Sequence, residues 1–336
     1  MNALVAHDFD EPLSLQQVPV PRPGPGQVLV KVKACGICHM DLHALDGDWK
    51  VKPALPFIPG HEISGIVTGL GAGVEKVKTG DRVGVSWLNS ACGSCEYCQS
   101  GRESLCPARH NTGYTVNGGF AEYVVVNADY LVPIPEQLTF EEAAPFMCAG
   151  LSSYKAVKSA GLQPGQWVAI YGVGGVGNLA VQYALAMGLK VVAIDRDEAK
   201  LKLARQLGAQ ETVNCHLEDP VTAVQAGLGG AHAVIVTAPE AQAVENSLSL
   251  LRPGATCILL GHASEKGALD IFNLVEKGLT VRGLVGGSPA ELREALQFAA
   301  EGKVKPVYRL ARLAEINHLL GQLQLGRIEG SIVLQL

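Results

Sequence analysis

Residues 172–177 read GVGGVG, a G-x-G-x-x-G run at Gly172, Gly174 and Gly177. Its neighbours narrow the folds open to this chain more than any other feature. The strand-like WVAIY precedes it, the amphipathic NLAVQYALAMG follows, and KVVAID ends in Asp195, 18 residues after Gly177. From Gln166 onward the same alternation continues through EAKLKLARQLGA, AVIVTA, AQAVENSLSLLRPG, TCILLG and TVRGLVG, with Gly208-Ala209 and Arg252-Pro253-Gly254 as expected helix stops. This βαβαβ punctuation predicts an α/β fold with a doubly wound parallel sheet.

Within the glycine run, Gly172 permits a tight turn, Gly174 lets backbone approach a pyrophosphate, and Gly177 lets helix and strand pack closely. Gly175 and Val176 complete the loop, and the helix N-terminus offers free N–H groups to phosphate. Asp195 can accept hydrogen bonds from ribose hydroxyls and would repel a 2′-phosphate, which favours NAD over NADP. Arg196 directly after it works against that preference. The alternative is a glycine turn that binds nothing, and the matching strand, helix and acid speak against it.

The first half has a different rhythm. QVLVKVKA (27–34), GIVTGLG (65–71), DRVGVS (81–86) and FAEYVVVN (120–127) are short alternating or β-branched runs between Gly, Pro and Asn, as in a compact all-β unit with long loops. A helix at about 289–302 and short strands ending in SIVLQL return to that style, so the tail can complete the first domain. With 336 residues and 48% hydrophobic content the chain can bury two cores. A net charge of −5 shows no basic excess and argues against a nucleic-acid binder, and no run reaches a membrane span. MNALVAHDFDEPLS has acids where a signal peptide needs basic residues, so the expected location is cytoplasmic.

Nine cysteines are many for such a chain, and six of them precede residue 110. In a reducing compartment such a cluster points to metal rather than disulfides. Cys92, Cys95, Cys98 and Cys106 form C-x2-C-x2-C-x7-C, a spacing that can wrap one tetrahedral zinc and leaves no position for substrate. An iron–sulfur cluster competes, but the ferredoxin run has three residues before its last cysteine where this chain has seven. The stretch ACGICHMDLH (34–43) offers Cys35, Cys38, His39, Asp41 and His43 around Met40, and reads equally as a redox dithiol, a metal site or part of a larger centre. A catalytic zinc wants about three protein ligands and an open position. Cys38, the His61-Glu62 pair in PGHE and Cys148 in MCAG are candidates.

With these segments in order, the chain resembles the zinc-dependent medium-chain alcohol dehydrogenases, the bacterial and yeast types above all. CGICHMDLH, GHE, GDRV, CGSCEYC, NTGYTVNGGFAEY, CAGLSSYKA and GVGGVG carry the resemblance over essentially the whole length. It implies a GroES-like β catalytic domain at 1–150, completed by 290–336, and a Rossmann NAD-binding domain at 151–289. It also implies two Zn2+ per chain, with Cys38, His61 and Cys148 on the catalytic ion, Glu62 exchangeable behind it, and Cys92, Cys95, Cys98 and Cys106 on a structural one. Asp41 would fix the tautomer of His61, His39 approach the cofactor pyrophosphate, and His43 end a proton relay. Trp49 and Trp87 would line the substrate pocket with Met40, and Ser152 would lie near the nicotinamide. The reaction implied is hydride transfer between a primary or secondary alcohol, activated by zinc as its alkoxide, and NAD(H), in a homodimer or homotetramer.

Two positions depart from that pattern. Met40 stands where relatives carry Thr or Ser, so the hydroxyl that begins the relay is missing. Ser331 stands where relatives place an arginine on the cofactor phosphates, with Arg327 four residues earlier. These departures keep two alternatives in view, a polyol or other specialised dehydrogenase and a non-catalytic NAD-binding relative.

Overall fold

The computed structural model describes residues 1–261 and 266–336. The chain forms two compact units, one of residues 1–151, 286–300 and 308–336, the other of 152–285 and 301–307.

In the first unit, the strand Gln27–Ile37 is the central element of a seven-stranded sheet. Its buried residues alternate (Val28, Val30, Val32, Ala34) until Cys35, Gly36 and Ile37, which are all buried. One face therefore packs into the core, and the strand's end is enclosed on both faces. Glu62–Leu70 and Tyr123–Asn127 pair with it antiparallel. The tail strand Ser331–Gln335 pairs with its last turn, setting Ile332 opposite Ile37 and Leu334 opposite Cys35. A segment three hundred residues distant thus fixes the strand end that leads into Cys38. Helix Pro289–Ala300 buries Leu292, Ala295, Leu296 and Ala299, the i, i+3, i+4, i+7 stripe of an amphipathic helix.

The second unit is a six-stranded, wholly parallel sheet. Its strands run in the order Glu211–Asn214, Lys190–Asp195, Trp167–Tyr171, Ala231–Val236, Leu251–Leu259 and Thr280–Gly283. In chain order this is 3-2-1-4-5-6, and the reversal at Trp167–Tyr171 creates the crevice where such sheets take ligands. Residues 301–307, expected with the tail, belong to this unit. The backbone N–H and carbonyl of Lys305 meet the Gln182 side chain at 2.8 and 2.9 Å.

One helix stop is corrected. The helix after Glu240 spans Ala241–Ser247, and Arg252-Pro253-Gly254 lies inside the strand Leu251–Leu259. The pairing jumps from Ala231↔Leu251 to Ala233↔Thr256, so these residues form a bulge, where a proline without N–H costs no ladder bond.

Candidate active site and metal centres

Cys38 lies in extended backbone immediately before the helix His39–Asp46. Asp41, in the first turn, turns its carboxylate back onto the unpaired N–H groups there. It accepts from Cys38 N–H at 2.9 Å and Gly60 N–H at 3.2 Å, and lies 3.0 Å from His61 Nδ1. A carboxylate accepting there makes Nδ1 the donor, so Nε2 is the nitrogen left to ligate once its proton is displaced. Both side chains are fully buried, and His61 Nε2 has no hydrogen-bond partner among the described residues.

That unpartnered nitrogen faces a donor set. One ligand atom each from Cys38, His61, Glu62 and Cys148 lies within 4.8 Å of all the others. Cys38 Sγ and Cys148 Sγ are 3.9 Å apart, and zinc with tetrahedral bonds of about 2.3 Å to sulfur sets two sulfurs about 3.8 Å apart. Glu62 is buried beside Gly36, its partner across the sheet, and a Cβ on Gly36 would stand 1.9 Å from Glu62 Oε2. The other oxygen, Oε1, accepts from Ala149 N–H at 3.2 Å, next to Cys148.

The electrostatics agree with a cation site. The hydrogen bond to Cys148, and then burial, push the Cys38 thiol well above its usual range. Burial and the charge of Cys38 do the same to the Glu62 carboxyl. Burial opposes protonation of His61, but Asp41 and the hydrogen bond with Cys38 outweigh it and push the imidazole up, a proton that a bound cation would displace. Each acid is pushed toward neutrality by crowding with other acids in low dielectric, a conflict that a divalent cation relieves. The residues fit zinc. Cys35 lies apart as a fully buried core thiol, raised by burial.

Around this set stands an aromatic wall. Trp87 meets the His61 ring edge-on at 4.9 Å, and Trp49 lies 5.8 Å from Trp87. Tyr114 packs against both, at 4.8 Å from Trp49 and 5.6 Å from Trp87, and donates its hydroxyl to the Val51 carbonyl. Tyr114 was not singled out from the sequence, although it lies within the NTGYTVNGGFAEY segment. His43 lies on the helix beside Trp49, 5.7 Å between ring centres, and its Nδ1 is 2.6 Å from Asp48 Oδ2. The His43 side chain is 19% exposed and Asp48 45%, so the pair leads outward to water. Asp48 was also missed; nothing in its spacing marks it as a histidine partner. Met40 is half-buried and His39 exposed on the same helix.

The four-cysteine lobe is a second, separate group. Sγ atoms of Cys92, Cys95, Cys98 and Cys106 lie within 4.8 Å of one another, with Cys92–Cys98 at 3.9 Å and Cys95–Cys98 at 3.6 Å. The backbone N–H of Cys95 points at Cys92 Sγ, and that of Cys92 at Cys106 Sγ. N–H groups of Ser94 and Cys95 hold the Cys92 thiol down to about 6, whereas burial and its sulfur neighbours push Cys98 up to about 12. All four are free thiols with spacings that suit tetrahedral zinc.

In the second unit, Gly172 adopts φ 95°, a left-handed conformation that glycine tolerates. A Cβ on Gly177 would stand 1.9 Å from the Gly172 carbonyl oxygen, so helix Gly175–Ala186 can start that close only without a side chain there. Among the described residues, nothing lies within 4 Å of the Cβ that Gly174 lacks, which leaves its backbone open to a pyrophosphate. Asp195 is nearly buried; its Oδ2 accepts from Val173 N–H at 2.7 Å and its Oδ1 from Asp197 N–H at 3.0 Å. A carboxylate so anchored keeps lone pairs for ribose hydroxyls, and the residues fit NAD. Gly175 and Val176 open the helix, and Ser153 donates to the Val176 carbonyl at 2.7 Å, a contact the sequence did not suggest. Ser152 is half-buried on helix Ala149–Ser159. In the first unit, Ser331 is buried at the start of its strand and Arg327, four residues earlier, is exposed.

Comparison with known proteins agrees with this geometry. Residues 24–136 match the family model described as the alcohol dehydrogenase GroES-like domain, and residues 175–301 that of zinc-binding dehydrogenase. An alcohol dehydrogenase of Geobacillus stearothermophilus is 50% identical over 335 residues, covering 100% of this chain and 99% of its own. Among solved structures, the alcohol dehydrogenase of Aeropyrum pernix superposes with a TM-score of 0.94 at 32% identity, covering 100% of both chains. An NAD-dependent alcohol dehydrogenase does so at 0.94 and 33% identity, also over 100% of both.

Proposed function

The chain belongs to the zinc-dependent medium-chain alcohol dehydrogenase family, and from that membership we propose that Cys38, His61 and Cys148 hold its catalytic zinc. Its activity is NAD-dependent alcohol dehydrogenation and the reverse reduction of an aldehyde. Glu62 is the exchangeable fourth ligand, and Cys92, Cys95, Cys98 and Cys106 hold a structural zinc. One observation carries the catalytic assignment: a fully buried, unpartnered His61 Nε2 faces two thiols and a carboxyl within 4.8 Å.

Zinc, when bound, supplies a Lewis acid that lowers the pKa of an alcohol hydroxyl and polarises a carbonyl, and NAD(H) accepts or donates the hydride. The chain supplies orientation and proton traffic. Asp41 holds His61 in the ligating tautomer. Trp49, Trp87 and Tyr114 exclude water and favour small or aromatic primary alcohols over polyhydroxyl chains. His43 receives the released proton at its outward end, and Asp48 orients its ring toward that task. Residue 40 has no O–H, so water or a cofactor ribose hydroxyl connects the substrate oxygen to His43, and Met40 shapes the pocket wall. Gly172 through Gly177 cradle the pyrophosphate and Asp195 takes the ribose hydroxyls, while Ser152 stands at the nicotinamide end.

The chain also works as a homo-oligomer in the cytoplasm. Thr280–Gly283 is an outer strand of the parallel sheet, and the nearby helix Ile271–Glu276 exposes Ile271, Phe272 and Val275. That open edge and apolar face suit a second copy of the chain. Sedimentation would give a monomer if this reading failed. The activity assignment is tested by a zinc count per chain alongside an alcohol and aldehyde panel with NAD(H) and NADP(H). Two zincs and turnover of simple alcohols support it. Turnover confined to polyols would favour a specialised dehydrogenase. Zinc in the four-cysteine lobe alone, with no absorbance change on any substrate, would leave a non-catalytic NAD-binding protein.

A further inference from the structure

Arg196 directly follows Asp195 at the end of its strand, where a 2′-phosphate on the adenosine ribose would come. A free arginine there would attract that phosphate and erode the discrimination that Asp195 provides. The structure gives this guanidinium another partner. Arg196 Nη1 lies 3.4 Å from Glu240 Oε1.

Glu240 reaches this place because its loop is fastened to the glycine turn. Thr237 N–H and Ala238 N–H both donate to the Tyr171 carbonyl, at 2.9 and 3.1 Å, and the Thr237 hydroxyl donates to the Gly172 carbonyl at 2.8 Å. The segment 237–240 therefore follows the turn at the sheet's switch point and ends beside the Lys190–Asp195 strand. Glu240 precedes the helix Ala241–Ser247 but makes no side-chain capping bond to it, which leaves its carboxylate for Arg196.

We propose that Glu240 is a specificity-determining residue for the cofactor: it occupies Arg196 and so keeps the chain selective for NAD over NADP. The inference rests on the NAD reading of the Gly172–Asp195 site and sharpens it. With the pair formed, Asp195 is the uncompensated charge facing the 2′ position, and a dianionic phosphate there meets net negative charge. With Glu240 neutralised, Arg196 turns to the phosphate as a charge-assisted donor. The pair is half-exposed, 53% and 45% for the two side chains, which limits the effect. Its removal is expected to shift relative affinity about fivefold, the factor equivalent to about 1 kcal/mol.

The test is a fluorescence titration of the full chain with NADH and with NADPH, giving the ratio of the two dissociation constants. It covers the wild type, Glu240→Gln, Arg196→Gln and the double variant. The expected result is a ratio about fivefold more favourable to NADPH in Glu240→Gln, returning to the wild-type value in the double variant. An unchanged ratio in Glu240→Gln would overturn the proposal. So would a gain that persists in the double variant, because Glu240 would then act by its own charge and not through Arg196. If the wild type binds neither nucleotide, the NAD reading itself fails, an outcome distinct from both.

Discussion

Replacing Asp41 by asparagine tests how the buried carboxylate readies the metal site. In the native chain, Oδ2 accepts from Cys38 N–H and Oδ1 serves both Gly60 N–H and His61 Nδ1. Asparagine is nearly the same size but has one acceptor where Asp has two. With its oxygen toward Gly60 and His61, its amide group opposes Cys38 N–H, donor against donor in a fully buried place. Turned over, it opposes Gly60 N–H and forces His61 to accept at Nδ1, which moves the ring hydrogen onto the ligating Nε2. The first orientation is the cheaper. It strands one buried donor and removes the charge from the two remaining contacts, together about 2–4 kcal/mol. Metal affinity should fall about 10–100-fold, as for loss of a carboxylate behind a ligating histidine. The assay is zinc release to a chromogenic chelator, with the four-cysteine lobe as an internal standard. The catalytic fraction should leave the variant at least tenfold faster while the lobe fraction is unaltered. Release of both fractions at wild-type rates would refute the argument and mean that packing, not Asp41, sets the His61 tautomer.

Gly177→Ala places a Cβ 1.9 Å from the Gly172 carbonyl oxygen and must push the following helix off the strand; NADH affinity should drop at least about tenfold at an overpacking cost of about 1–3 kcal/mol, read by fluorescence titration. Cys95→Ser should lower the zinc count by one per chain and reduce thermal stability, with the zinc at Cys38, His61 and Cys148 retained. Met40→Thr should speed alcohol oxidation and shift the pH–rate profile; an unchanged profile would mean that the relay never depends on side chain 40. His232 accepts from Trp167 N–H and lies 2.8 Å from Arg252 Nη1, and burial and that guanidinium hold it below the usual imidazole range. The folded state prefers neutral His232, so its contribution to stability is full above about pH 6.5 and is lost as pH falls through the lower folded-state pKa. Thermal melts of His232→Gln should therefore lose less stability on acidification than the wild type.

What could be read from sequence followed from how local each signal is. The lobe cysteines sit within one loop, so spacing alone brought them together, and the Gly172–Asp195 unit is equally self-contained. Cys38, His61 and Cys148 are far apart in the chain, and resemblance, not periodicity, connected them. The structure gathers them through the end of the Gln27–Ile37 strand, its partner Glu62–Leu70 and the turn before helix Ala149–Ser159. Residues that act through a neighbour stayed hidden: Asp48 beside His43, Tyr114 between two tryptophans, Glu240 against Arg196. Each is an ordinary residue on a loop or element end, and only the folded backbone brings its partner near. Arg252-Pro253-Gly254 misled for the converse reason, since its local turn chemistry is real but is absorbed as a bulge within a strand.

The two donor sets show why ligand type alone does not assign a metal its work. Both contain cysteines at sulfur spacings that suit tetrahedral zinc, yet their surroundings are opposite. The lobe uses four thiols, most of them partly or fully exposed, with backbone N–H groups pointed at the sulfurs. Such a site supplies all four ligands from protein and keeps no position for a substrate. The other set mixes two thiols with a buried imidazole and a buried carboxyl, and Asp41 is spent on aiming one of them. Its fourth donor, Glu62, is tied by Oε1 to Ala149 N–H and held against Gly36, which fixes the carboxyl beside the two thiols and the imidazole. An aromatic wall, and a histidine–carboxylate pair that leads from it to water, complete the difference. The functional distinction therefore rests on Asp41, Glu62, Trp87 and His43 rather than on the cysteines. Substitutions at Trp87 and His43 should change chemistry with both donor sets intact, whereas those at Asp41 and Glu62 act through the donor set itself.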